Sequence, residues 1–74
     1  MKVKEVKITG EYIRLDDLLK LEGLVNTGGH AKFVIQGSEV KLNDEVCTMR
    51  GKKLRENDVI TYENNCFKIV KEDL

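Results

Sequence analysis

Apolar and polar residues follow two patterns along the chain, one with the period of a strand and one with the period of a helix. The segment from Val3 to Ile8 mixes Val and Ile with Lys, which is typical of a short, polar strand at the edge of a sheet. Gly10 follows and ends this strand. Helical spacing begins a few residues later.

Two groups of apolar residues recur at positions i, i+3 and i+4, so each group lies on one face of a short helix. The groups are Leu15, Leu18 and Leu19, and then Ala31, Val34 and Ile35. Asp16 and Asp17 fall in the first turn of the first helix, where carboxylates favour the positive end of the helix dipole. Gly23 is expected to end this helix. Helices this short are marginal alone and need a sheet to cover their apolar faces.

A tight corner separates the two helices, from Leu24 to Gly29. Thr27 or Gly29 is expected to cap the second helix, and Gly37 with Ser38 to end it. Gly28 and Gly29 would leave backbone N–H groups free at the helix start, where an anion is favoured.

The second half of the chain alternates extended runs with turns that contain Asn. The runs are 40–42, 46 onward, 59–62 and 67–70, and the turns are Asn43-Asp44, Asn57-Asp58 and Asn64-Asn65. The polar, basic stretch from Met49 to Glu56 is expected to be a loop and not a strand. The order of elements predicts an α+β fold, with two short helices packed on one face of a small, mostly antiparallel sheet.

The chain of 74 residues is long enough for a single domain with a thin core, which we expect to span residues 1–74. Its first residues interleave Lys with Val, which fits neither a signal peptide nor a membrane-spanning segment, so we expect a cytoplasmic protein. Cys47, Cys66 and the single histidine, His30, cannot supply four soft ligands with the spacing of a zinc site. We therefore expect no metal and no cofactor, and thiols that pack as small hydrophobic groups.

Charge is balanced in total but unevenly distributed. Thirteen basic and thirteen acidic residues give a formal net charge of zero, which by itself argues against nucleic-acid binding. However, four basic residues and no acid fall within residues 50–55, which we call the basic loop. They are Arg50, Lys52, Lys53 and Arg55. A neutral total can therefore include one positive face.

Three runs of the sequence, in this order and at this spacing, resemble the RNA-binding domain first named from ribosomal small-subunit protein S4, also called the αL motif. The runs are TGGHAK at 27–32, VKLNDE at 40–45 and RGKKLRENDVI at 50–60. The chain looks most like the stand-alone YaaA-like branch, in which an arginine-glycine-basic-basic-leucine loop is typical. The resemblance covers about residues 12–70.

This resemblance implies two helices at a corner on a small sheet, with RNA held by the second helix and the neighbouring loops. The binding set implied by position comprises Thr27, Gly28, Gly29, Lys32, Arg50, Lys52, Lys53 and Arg55. Many members have an arginine where this chain has Gly28, so one phosphate contact common in the family is missing. More of the binding is therefore expected from the basic loop.

The chemistry of these residues favours the same interpretation. Lys and Arg make the phosphate contacts that give most sequence-independent affinity, and Arg can hold a phosphate with two hydrogen bonds. Gly51 would let the loop backbone approach the RNA closely. This surface is expected to lack the exposed aromatic side chains that stack on splayed bases, which favours structured RNA over a single strand. Tyr12 and Tyr62 are expected to complete the core, the alternative being that they stack on bases.

Each of these features also has a purely structural explanation. A basic run can be a solvated loop, and His30 can be a surface residue at a helix start. Arg14 and Lys20 can either extend the positive patch or be ordinary surface charges.

We therefore expect a non-enzymatic, monomeric protein that binds structured RNA, either ribosomal RNA or a ribosomal particle, with no membrane or small-molecule partner. The alternative is a protein-interaction module, in which the zero net charge matches a protein partner. Catalysis is not expected because His30 has no Ser or Cys partner. The Gly28-Gly29 corner also lacks the Gly-Lys-Ser/Thr ending of a phosphate-binding loop.

Overall fold

A computed structural model of the protein describes residues 2–72 and contains, in that range, two helices and seven short strands. In chain order they are β1 Val3–Ile8, β2 Ile13–Arg14, α1 Leu15–Leu21, α2 Gly28–Gln36, β3 Val40–Leu42, β4 Glu45–Val46, β5 Lys53–Leu54, β6 Val59–Tyr62 and β7 Asn65–Lys71. The predicted α+β class is confirmed, as are the two short helices.

Five of the strands form one mixed, mostly antiparallel sheet in the order β1-β7-β6-β3-β4. The β7–β6, β6–β3 and β3–β4 pairs are antiparallel, and β1 runs parallel to β7. β1 lies at the edge, as its polar sequence predicts. A parallel pair requires a long crossover connection, and the segment between β1 and β7 contains both helices.

The core lies between the helices and one face of this sheet. Both predicted apolar groups of the helices are buried, with Leu15, Leu18, Leu19, Ala31 and Ile35 fully inaccessible and Val34 nearly so. Alternate residues of the strands complete the same cluster, which follows from the two-residue period of a strand. They are Val6, Ile8, Val40, Ile60, Tyr62, Phe67 and Ile69.

The helix ends agree with the predicted stop signals. α1 ends before Glu22, and Gly23 adopts a positive φ of 75°, a conformation that costs glycine little. α2 begins after Thr27 and ends before Gly37. Within the described residues, neither helix is long and apolar enough to cross a membrane.

A second sheet of two short strands corrects one prediction. The sequence pattern predicts a loop throughout residues 49–56, but β5 pairs antiparallel with β2, with Ile13 opposite Leu54 and Arg14 opposite Lys53. Leu54 is fully buried and Ile13 packs against the core, so each strand turns one apolar side chain inward. In the sequence, Leu54 stands alone between Lys53 and Arg55, so no strand pattern is recognisable there. We call the β2–β5 pair the ribbon.

Candidate nucleic-acid interface

The backbone of the basic loop is bonded to the N-terminus of α1. The N–H of Leu15 donates to the carbonyl of Lys52 at 2.9 Å, and the N–H of Asp16 donates to the carbonyl of Arg50 at 3.1 Å. The next N–H, of Asp17, donates to Oδ1 of Asp16 at 2.9 Å. The first N–H groups of a helix have no partner within the helix. Here the N–H groups of Leu15 and Asp16 hold the loop in place.

Two further contacts fix the other end of the basic loop. Leu54 inserts its side chain into the core, where it is fully buried. Oδ2 of Asp58 accepts the backbone N–H of Arg55 at 2.8 Å, in the turn that Asn57-Asp58 predicts. The carboxylate of Asp58 therefore stabilises the path of the loop backbone.

The basic side chains of this loop are exposed to solvent. They are Arg50, Lys52, Lys53 and Arg55. In the described part of the chain, the ion pairs are Lys4 with Glu22, Arg14 with Asp16 and Lys20 with Asp17, so none involves the basic loop. The four charges are therefore available to an external anion.

Tyr12 lies among these cations, which corrects the expectation that it completes the core. The residue is 43 % exposed, whereas Tyr62 is buried as predicted. Nζ of Lys53 lies 4.9 Å from the centroid of the Tyr12 ring, and Cζ of Arg55 lies 5.9 Å from it. Both distances are within the range of a cation–π interaction. The ribbon therefore presents an aromatic ring and two cations together.

Arg14 adds a fifth basic side chain to this surface. It lies opposite Lys53 in the ribbon, and its Nη2 is 3.1 Å from Oδ2 of Asp16. Its guanidinium also lies against Gly51, since a Cβ added there would be 3.4 Å from Nη2. Arg14 is therefore part of the loop structure and is partly neutralised by Asp16. Lys20 also pairs with a carboxylate, that of Asp17, at 3.6 Å.

The alternation of polar and apolar residues is consistent with this arrangement but is too short to predict it. Tyr12-Ile13-Arg14 and Lys53-Leu54-Arg55 each place one apolar residue between two polar or aromatic ones. When two such segments pair, their central residues face the core and their flanking residues share the outer face.

The second part of the predicted site is the corner formed by Thr27, Gly28 and Gly29. Oγ1 of Thr27 accepts the N–H of His30 at 3.0 Å, so Thr27 is the cap of α2. In the described residues, the N–H groups of Gly28 and Gly29 donate to no protein atom. A Cβ added at Gly28 would meet no atom within 4 Å. The corner therefore offers two backbone donors beside open space.

Near this corner, His30 and the exposed side chains of α2 define the surface. Nδ1 of His30 accepts the N–H of Asn26 at 3.4 Å, so the imidazole folds back over the corner. Lys32 is exposed, and Phe33 beside it is 76 % exposed. Together with Tyr12, Phe33 contradicts the expectation that exposed aromatic side chains are lacking.

The two parts of the predicted site are held by different ends of α1. The basic loop bonds to its N-terminus, whereas the corner follows its C-terminal end, where Val25 donates to the carbonyl of Leu19 at 3.4 Å. A helix of seven residues is about 10 Å long. Among residues 2–72, no hydrogen bond or ion pair links the corner to the loop.

A shallow cleft of about 280 Å³ lies between β4 and the start of the basic loop. Its lining combines apolar groups with one cation and includes Leu42, Glu45, Val46, Cys47, Thr48, Met49 and Lys52. Val46 and Met49 are more than half exposed, which gives the cleft an apolar rim.

Comparisons with known proteins identify a family and a relative. The model of a family described as the S4 domain matches residues 6–70. The chain is also 38 % identical over 66 residues to a protein of Bacillus subtilis (strain 168) named probable ribosome maturation protein RlbA. That alignment covers 88 % of this chain and 93 % of the relative. The family match includes the corner, the ribbon and the basic loop.

Proposed function

The chain belongs to the S4 domain family, and from this we propose that it binds structured RNA through the basic loop and the α2 corner without catalysing a reaction. The name of the relative, a ribosome maturation protein, supports ribosomal RNA or a ribosomal particle as the target and the cytoplasm as the location. The observation that carries the proposal is the basic loop, whose four cations are exposed and outside every ion pair of the described residues.

The fixed backbone of the loop makes these cations suited to RNA. A binding segment that is ordered before binding loses less conformational entropy when it meets its partner. Hydrogen bonds to Leu15 and Asp16 on one side, and from Arg55 to Asp58 on the other, provide that order. The corner adds two N–H donors at the start of α2, where the helix dipole favours a phosphate.

Affinity that comes from phosphate contacts must fall steeply with salt, because each contact releases condensed counterions. With about four to six contacts, the logarithm of the binding constant should fall by about 3 to 5 for each tenfold increase in salt. A flat salt dependence would contradict phosphate binding as the source of affinity.

Reversing two charges of the loop tests the proposal directly. We expect Arg50→Glu with Lys53→Glu to weaken binding to a ribosomal RNA fragment by about a hundredfold or more, because two contacts are replaced by repulsion. Both side chains are exposed, so circular dichroism and thermal unfolding should show an intact fold. Affinity equal to that of the wild type would show that the assigned face is wrong.

A matched control makes the same change of charge on the face of the main sheet that points away from the helices. Lys41 and Lys68 alternate with the inward-facing residues Val40 and Ile69, so they point away from the core and the helices. We expect Lys41→Glu with Lys68→Glu to change affinity by only a few-fold, through the net charge alone.

The apolar rim of the cleft favours a second candidate function, that of a protein-interaction module. Val46 and Met49 are exposed beside Lys52, and Phe33 is exposed on α2. Such a module would form a complex that survives nuclease and high salt. Val46→Ser with Met49→Ser would break that complex, whereas the Arg50 and Lys53 reversals would leave it intact.

A further inference from the structure

We propose that Tyr12 stacks on an unpaired base, so that the RNA recognised by this face is a paired stem with a bulged or looped-out nucleotide and not an uninterrupted duplex. This inference rests on the proposed RNA binding and adds the part of the RNA that the ribbon contacts.

The ribbon keeps the ring of Tyr12 exposed to solvent. Its neighbour Ile13 faces the core opposite Leu54, so the alternating side chains on either side of it face outward. Tyr12 is 43 % exposed. The other tyrosine, Tyr62, is buried in that core.

The groups around the ring match the parts of a single nucleotide. Nζ of Lys53 and Cζ of Arg55 lie over the Tyr12 ring, 4.9 and 5.9 Å from its centroid. A base that stacks on this face takes the place of these cations, which can then bind the phosphate of the same nucleotide. The ring offers an apolar surface of the kind on which bases stack. Bases within a duplex are already stacked and paired, so an unpaired nucleotide is the RNA element that uses both groups at once.

A set of three hairpin RNAs isolates the contribution of the base. The first has a fully paired stem, the second has one unpaired adenosine in the same stem, and the third has an abasic residue in place of that adenosine. We expect the wild-type protein to bind the second RNA about tenfold more tightly than the third, as for one base stacked on an aromatic ring.

Two substitutions of Tyr12 show whether the ring is responsible. Tyr12→Leu should remove the preference for adenosine over the abasic residue, whereas Tyr12→Phe should retain it. Because the side chain is half-exposed, neither change should greatly alter the thermal unfolding midpoint. Equal loss of affinity for all three RNAs in Tyr12→Leu would show a structural role only and overturn the inference.

Tyrosine fluorescence gives a second, independent measurement. The chain has two tyrosines and no tryptophan, so Tyr62→Phe leaves Tyr12 as the sole emitter. A stacked base should quench its emission, and the adenosine RNA should quench it more than the abasic RNA does. Equal quenching by both RNAs would contradict stacking.

The outcomes separate this inference from the function on which it rests. If all three RNAs bind equally and Arg50→Glu with Lys53→Glu weakens each of them, RNA binding stands and the Tyr12 inference fails. If the wild-type protein binds none of the three, both fail.

Discussion

The two helices begin in different ways, and this difference divides the candidate site into two parts. At α1, the N–H groups of Leu15 and Asp16 donate to carbonyls of the basic loop. At α2, Thr27 accepts the N–H of His30, and the N–H groups of Gly28 and Gly29 have no protein partner in the described residues. One helix start holds a protein loop, and the other is open to an external anion.

The two parts therefore attract RNA by different means. In the basic loop, hydrogen bonds to the start of α1 order the backbone, and the side chains carry full positive charges. At the corner, the attraction comes from the partial positive charge of the N–H groups and from Lys32. The partial charge contributes typically about 0.3–1 kcal/mol at an exposed helix end. We expect changes in the basic loop to have larger effects than changes at the corner.

The largest expected effect comes from removing the apolar residue that anchors the basic loop. Leu54→Ala should lower the free energy of unfolding by about 2–5 kcal/mol, because Leu54 is fully buried and its loss leaves a cavity. RNA affinity of the folded protein should fall as well, since β5 no longer fixes the loop. Urea unfolding and RNA titration measure the two quantities.

Val46→Ala is the matched control for this change, since Val46 is 52 % exposed and lies in β4, outside the ribbon. It should change the free energy of unfolding by no more than about 0.5 kcal/mol. If Leu54→Ala lowers stability but leaves RNA affinity unchanged, an ordered loop is not needed for binding.

The contrast between helices and ribbon also explains how far the sequence could predict this structure. Each helix has apolar residues at i, i+3 and i+4, a helical spacing that covers just over one turn, and the strands from 40 to 70 are separated by Asn-containing turns. Local patterns of this kind are readable without tertiary structure. The helices and the strands β1, β3, β6 and β7 were therefore predictable, whereas the extended run predicted from Val46 onward was wrong, since β4 ends at Val46.

The ribbon was not predictable in the same way. β2 and β5 have two residues each, too few for alternation to be recognised, and Ile13 and Leu54 meet only after the chain folds. The basic residues of the loop could be found from their clustering, but the exposure of Tyr12 could not. It follows from the inward orientation of Ile13, which depends on pairing with a distant segment.

A smaller effect is expected at the corner. Thr27→Ala removes the hydroxyl that accepts the N–H of His30 and should lower the free energy of unfolding by about 1 kcal/mol. RNA affinity should fall by less than in the loop reversal, because no full charge is lost. Thr27→Ser is the control, since its hydroxyl can cap the helix in the same way. Equal losses in both variants would show that the methyl group, not the cap, is important.

The smallest effect is expected from adding a charge at the open position of the corner. A side chain that begins at Gly28 would meet no other atom within 4 Å of its Cβ, and the backbone there does not need a positive φ, so the fold should tolerate Gly28→Arg. One added phosphate contact should raise RNA affinity roughly two- to fivefold, as for one exposed ionic contact, and should steepen the salt dependence. Gln36→Arg adds the same charge at the far end of α2 and should do less. If both variants raise affinity equally, the gain comes from net charge, and the open start of α2 does not contact the RNA.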